Sequence, residues 1–403
     1  MKDLKKKARA YALKNALAHE GKAQMGAVVS GLFAEGLKKS EMGKFAKDIN
    51  EVISEVNKLS EEEQNSEFEN LEKVVHEREV REGLPELPGA KKGKVVMRIA
   101  PSPSGPLHLP HAINLSLNYD FVEEHGGKLY VRIEDTNPET VYSKAYKMIE
   151  KEADWLTKGK AKLVIQSDRM NKYYDYAEKL IKKGAAYVCT CSAEDFKKLS
   201  DEQTACECRS LSDKENLERW EKMLDKKGFE QGEAVLRFKS DLKNSNPAMR
   251  DFPLARINET SHPKQKKKFR VWPLMNLSVT VDDIELGMTH VIRGKDHRDN
   301  AARQKMIYEV LGKGKDYPWV FFLGFLNFTG FEFSTRQMRA DIDAGKYSGW
   351  ADPELATVAS LKKKGYKPEA FWKFAEHVGL SATDKKIDKE DFFEVLDGFN
   401  EEK

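Results

Sequence analysis

Apolar and polar positions change rhythm along this chain, and the changes divide it. Residues 1 to about 90 read as helices, first rich in Ala and Lys, then acidic around Glu61-Glu62-Glu63. Gly83-Leu84-Pro85-Glu86-Leu87-Pro88-Gly89 is a Pro/Gly linker and predicts a boundary. From Lys94, short apolar runs alternate with helical stretches. Residues 94–99 and 128–133 predict buried strands, and Tyr146, Ile149, Ala153 and Leu156 mark a helix face. Such alternation predicts a parallel sheet covered by helices, with ligands beyond the carboxyl ends of its strands. Arg98, Glu134 and Arg293 each fall at or just past such an end, so one crevice could hold all three.

Residues from about 190 to 270 interrupt the alternation. It resumes near Phe269-Arg270-Val271-Trp272-Pro273, passes through a strand at 288–292 and a helix to Leu311, and reaches a last, very apolar strand over 319–326. After about 345 the pattern is helical, including Pro368 to Phe374. The expected division is a helical N-terminal domain (1–90), a first α/β half (91–189), an insertion (190–270), a second α/β half (271–345) and a helical C-terminal region (346–403).

A length of 403 residues allows two to four domains with ample core. Charged residues make up 33% yet nearly cancel, at +3, so any nucleic-acid surface must be local. No apolar run approaches membrane-spanning length, so no membrane partner is expected. The start, Met1 to Lys7, lacks the apolar core of a signal peptide. The cytosol is the expected address.

Two stretches carry the chemistry. Cys189-Thr190-Cys191 and Cys206-Glu207-Cys208, fourteen residues apart, match a tetrahedral structural zinc site in a reducing compartment, the alternative being four reduced surface thiols. The other is Arg98-Ile99-Ala100-Pro101-Ser102-Pro103-Ser104-Gly105-Pro106-Leu107-His108-Leu109-Pro110-His111-Ala112. A strand, a tight turn and a helix start make a phosphate-binding corner, with two histidines on its first turn. The plainer alternative is a crossover carrying two incidental surface histidines.

That stretch resembles the first signature of class I aminoacyl-tRNA synthetases, and most closely the archaeal form of their glutamyl/glutaminyl branch. Val131 to Pro138, Gln166-Ser167-Asp168-Arg169, Val281-Asp282-Asp283, His290 to His297, Ser334-Thr335 and Tyr347-Ser348-Gly349-Trp350 continue the likeness over nearly the whole chain. The resemblance implies an α/β fold: a Rossmann-like parallel sheet split by an α+β insertion that grips the tRNA acceptor end, with helical N- and C-terminal domains. The last helices resemble the stem-contact region. No run of short alternating strands follows them, so the anticodon-reading barrels usual in this branch are expected to be absent. The N-terminal helices resemble an appended domain that could dock a protein partner.

The activity so implied is ATP-dependent ligation of L-glutamate to tRNA, with Mg²⁺ on the ATP phosphates. Residue by residue, it places His108, His111 and Arg336 in catalysis. ATP would meet Ser102, Ser104, Gly105, His108, His111, Arg336 and Gln337. Glutamate would meet Arg98, Ala100, Ser102, Glu134, Met275 and Arg293. Two arginines can hold a carboxylate bidentately and favour glutamate over glutamine, while Glu134 suits the ammonium. Arg98 could instead pair with Asp135, and Met275 could be ordinary core.

Three positions depart from the family pattern. Pro110 stands where a glycine leaves room for adenine, which implies weakened or re-shaped ATP binding. Met275 replaces a tyrosine. Gln337 replaces the lysine that steadies pyrophosphate, a loss on the order of 10²–10³ in rate unless Arg336 substitutes. Two other readings follow: a non-catalytic or repurposed paralogue that binds tRNA or a protein, or glutamylation of an acceptor chosen without anticodon reading. Lys264 with Lys266-Lys267-Lys268 would suit a phosphate backbone, though such runs are often solvated turns.

Overall fold

Alanines on the inner face of α1 (Leu4–Leu17) let three further helices close on it: α2 (Met25–Ala34), α3 (Met42–Val56) and α4 (Glu61–Leu71). Ala8, Ala12, Leu13 and Ala16 pack there with Val28, Leu32, Ile49 and Val56. A Ser60/Glu63 capping box starts α4. The structure is a computed structural model that describes residues 3–19, 21–75 and 83–401. The chain divides into two compact units, Met1–Glu82 and Gly83–Lys403. The helical expectation over 76–82 lies outside the described residues.

The second unit opens with β1 (Val95–Ile99), α5 (Leu109–His125), β2 (Gly127–Ile133), α6 (Ala145–Leu156) and β3 (Ala161–Ile165). The three strands are parallel, in order β1-β2-β3. After α7 (Met170–Lys182) comes an antiparallel sheet. It holds β4 (Ala186–Cys189), then, past α8 (Ala193–Asp201) and α9 (Asp213–Leu224), β5 (Val235–Phe238), β6 (Pro253–Ile257) and β7 (Val271–Pro273). Two expectations are corrected. The inserted sheet already begins at Ala186. Val271–Pro273, expected to open the second α/β half, closes that sheet by pairing with β6. An apolar run reveals a strand but not its partner.

The α/β core resumes with α10 (Met275–Leu286), β8 (His290–Gly294), α11 (Arg298–Val310) and β9 (Trp319–Leu323), with β8 and β9 parallel. Thr289 N–H donates to the Val96 carbonyl at 3.0 Å, which seats the start of β8 beside β1. Chain order therefore reverses between β1 and β8, and a crevice opens where it does.

The expected last strand over 319–326 is two strands. A Cβ on Gly324 would lie 2.2 Å from the Thr383 carbonyl oxygen, so the C-terminal segment crosses there and ends β9. β10 (Leu326–Thr329) follows, then α12 (Thr335–Asp343), α13 (Val358–Lys363) and α14 (Pro368–Val378). The region expected to be helical also contains β11 (Lys385–Asp388), parallel to β10, before α15 (Lys389–Glu401). Helices α5, α14 and α15 cover the sheet through one core that includes Phe121, Ile133, Phe371 and Phe392. No described helix is long and apolar enough to cross a membrane.

Candidate active site

His108 caps α5 with extended backbone, and Pro110 follows in the first turn, where its missing N–H leaves nothing unpaired. The rings of His108 and His111 stack with centroids 3.9 Å apart. Both Nδ1 atoms are buried and have no hydrogen-bond partner. Burial lowers the pKa of His108 to about 4, and burial, then the nearby His108, holds that of His111 well below the usual histidine value. Both rings are therefore neutral at pH 7. They are not the surface histidines of the plainer reading.

The turn before them is clamped from three sides. Glu134 N–H donates to the Pro101 carbonyl at 3.0 Å and Tyr142 N–H to that of Pro103 at 2.8 Å. Ser104 N–H donates to the Ser102 carbonyl at 2.9 Å, and Ser102 is exposed while Ala100 is half-buried. A Cβ on Gly105 would sit 2.3 Å from Thr335 Cγ2, so only glycine lets the loop Phe333-Ser334-Thr335-Arg336-Gln337-Met338-Arg339, the second signature loop, rest on the first. In that loop Ser334 caps α12 by accepting the Gln337 N–H at 3.2 Å. The Gln337 side chain donates to Asp341 at 2.7 Å on its own helix. Arg336 is exposed.

At the strand ends lies a buried charge network. Arg98, 3% exposed, gives Nε and Nη2 to Asp283 at 3.0 and 2.9 Å. The alternative pairing with Asp135 does not occur; that carboxylate is held by Ser167, Tyr146 and His262. Arg132, fully buried, bridges Asp283 and Glu134, the latter at 2.8 Å. Asp282 takes Arg169 Nε at 2.6 Å, Gln166 at 3.0 Å and the Tyr173 hydroxyl at 2.9 Å. Burial resists ionisation of Asp283, but Arg98 and Arg132 outweigh it and hold its carboxyl at about 2.

Arg293 ends β8 differently. It is 8% exposed, its Nη1 donates to Gln304 at 2.9 Å, and its Nε is buried without a partner. Burial, then the nearby Arg98 charge, lowers its pKa to about 10. The charges of Arg98, Glu134 and Arg293 also act on His297, so all three share one compartment with it. Four guanidinium groups (Arg98, Arg132, Arg169, Arg293) face three carboxylates (Glu134, Asp282, Asp283). Arg98, Arg132 and Arg169 each have a carboxylate partner, whereas Arg293 has only the Gln304 amide, in a place where an unpaired charge is costly. Sequence reasoning named no role for Arg132, Asp283, His297 or Gln304. The adjacent acids Asp282 and Asp283, directly after Val279 and Val281 on α10, were the available signal. Met275, in the first turn of α10, is 37% exposed and so is not core.

The four cysteines converge: one sulfur from each lies within 4.8 Å of every other. Ligands at about 2.3 Å from a tetrahedral zinc stand roughly 3.8 Å apart, so the donor set fits that ion. Three of the four are buried, which excludes four surface thiols. The lysine run is largely engaged. Lys264 pairs with Asp168, Lys266 donates to the Pro263 carbonyl at 2.8 Å, and Lys268 lies over the Phe269 ring. Lys264 is thus not free for a phosphate backbone.

Residues 94–397 match the family described as class I tRNA synthetases (E and Q), catalytic domain. A glutamate–tRNA ligase of Methanothermobacter thermautotrophicus is 43% identical over 383 residues, 94% of this chain and 68% of its own length. One from Thermococcus kodakarensis is 41% identical over 399 residues, 96% of this chain and 69% of its own. The crystal structure of a glutamate–tRNA synthetase from Elizabethkingia anophelis shares the fold, with a TM-score of 0.51 at 23% identity over 75% of this chain and 70% of that one.

Proposed function

From the premise that this chain belongs to the class I tRNA synthetases for glutamate and glutamine, we propose how its residues divide the work of an ATP-dependent glutamate–tRNA ligase. Glutamate, ATP and tRNA yield glutamyl-tRNA, AMP and pyrophosphate. In the first step a carboxylate oxygen of glutamate bonds to the α-phosphorus as the bond to the bridging β-oxygen breaks, releasing pyrophosphate. In the second a ribose hydroxyl at the tRNA end takes the acyl group, and AMP leaves. The protein's share is alignment and charge.

The observation that carries the assignment is the excess guanidinium at Arg293. Its buried, unpartnered Nε asks for an anion. Glutamate brings two carboxylates and one ammonium, a net single negative charge that balances the network. Arg293 takes the side-chain carboxylate. Arg98, its fork held by Asp283, contributes potential rather than a second open fork. Glu134 receives the ammonium, and the exposed Met275 borders the substrate's apolar stem. Ala100 and Ser102 line the approach from the turn. Neutral glutamine leaves the positive charge unbalanced, so glutamate is preferred.

His108 and His111 give hydrogen bonds to the ATP phosphates, which carry Mg²⁺. Being neutral, they add donors without raising an already positive site. Ser104 and Gly105 shape the corner. Arg336, exposed on the second loop, takes the leaving pyrophosphate's charge in place of Gln337, whose amide is tied to Asp341. The inserted sheet receives the tRNA acceptor end, the helices after 345 receive its stem, and the reaction belongs in the cytosol. The cysteine cluster holds a structural zinc that fixes this sheet, because four thiolates leave no open position. Metal analysis should find about one zinc per chain, and chelation should lower the melting temperature; a metal-free, equally stable protein would refute that element.

The test of the substrate assignment is ATP-dependent charging of tRNA with glutamate. Arg293→Ala should raise the KM for glutamate by about 100-fold or more, as expected for a lost charge-assisted pair, and leave that for ATP nearly unchanged. Equal effects on both substrates would reject the assignment.

A further inference from the structure

Glu152 is an acid on the buried face of α6. Its neighbours there are Ala145, Ile149, Ala153 and Leu156, and it is only 7% exposed. A carboxylate in such a place needs partners to be tolerated. It has two, both backbone: Leu107 N–H donates to Oε2 at 2.6 Å, and Ala359 N–H is the second. Burial still pushes its carboxyl up, to about 8, against those two donors.

The identity of the two partners gives the acid a use. Leu107 immediately precedes His108. Ala359 lies in α13, on the polypeptide that returns from the second signature loop. The same two segments touch again: Val358 N–H donates to the Leu107 carbonyl at 3.2 Å, and His108 and Thr357 form an isolated antiparallel bridge. Thr357 in turn donates to the Trp350 carbonyl, and the Trp350 ring lies 3.4 Å from where a Cβ on Gly105 would stand.

We propose that Glu152 is a positioning residue that clamps the histidine turn to the segment returning from the second loop, fixing the separation at which ATP meets both. The inference rests on the reading of His108 and His111 as ATP-binding groups. Glu152 itself touches no substrate. A glutamine at this place keeps the volume but offers one accepting oxygen and turns N–H donors toward backbone donors, so one buried N–H loses its partner.

The test is a pair of variants in the full chain. Glu152→Gln should weaken ATP binding on the order of tenfold, read both as the Kd from calorimetric titration with ATP and as the KM for ATP in pyrophosphate exchange. The KM for glutamate should stay within about twofold, and Glu152→Asp, which keeps a carboxyl group in place of the amide, should recover part of the loss. Hydrogen exchange at the Leu107 amide should speed up in Glu152→Gln and slow again in Glu152→Asp. Unchanged ATP affinity, or equal shifts for ATP and glutamate, in a folded variant would overturn the proposal. Should Glu152→Gln not fold, Glu152→Asp decides on the same readouts: a selective ATP defect supports the clamp, and an even-handed one rejects it. Wild-type protein that binds ATP yet shows no glutamate-dependent exchange contradicts the ligase reading instead, since the titration still reads the clamp.

Discussion

At the scale of single residues, the electrostatics is governed by what burial does to charged groups. The histidines are an instance. An unfolded chain takes up a proton at each histidine below about pH 6.5. Folded His108 refuses it until about 4. The unfolded state therefore binds more protons through this window, and acidification lowers the unfolding free energy. Urea unfolding at several pH values between 7 and 5 should show that slope, and His108→Asn should flatten it. An identical slope in the variant would mean that His108 is not held neutral.

Arg98 shows how far this scale was legible. That a cation closes β1 could be read from the sequence. That its fork belongs to Asp283 could not, because the partner lies 185 residues away and only the sheet brings them together. For the same reason the sequence does not separate Arg98, whose fork is engaged, from Arg293, whose Nε is left without a partner. Asp283 illustrates the cost of such a network. Removing its charge strands two buried guanidiniums, a loss typically of about 3–5 kcal/mol.

At the scale of elements, the strands and helices of the first α/β half follow the apolar pattern closely, and the linker at 83–89 sits at the boundary between the two units. The misreadings have one cause. Val271–Pro273 and residues 319–326 are apolar enough to be strands, but pairing is set by what crosses them. The former pairs with β6 of the inserted sheet, and the latter is broken at Gly324 by the approach of Thr383.

Close approach also links the two signature loops. Gly105→Ala would drive a methyl into Thr335 Cγ2 and displace α12. It should reduce turnover in pyrophosphate exchange by tenfold or more, roughly the effect of misplacing a charge-stabilising group. Thr335→Ser removes the methyl it meets, so the double variant should recover much of that loss. Additive defects would mean that the two loops do not meet at this point.

At the scale of the whole molecule, function was more legible than geometry, because the phrases that carry it are short and contiguous while the candidate site draws on six distant segments. The candidate site joins a strand-end crevice, in which Arg293 is buried without a carboxylate partner, to a neutral histidine pair at a helix start. The most direct measurement is ATP–pyrophosphate exchange by the purified chain, with and without tRNA, in glutamate and in glutamine. Exchange that requires glutamate and is at least tenfold weaker with glutamine, on the order of one buried charge left unbalanced, is the predicted result. No exchange under either condition, or equal rates with the two amino acids, would contradict it.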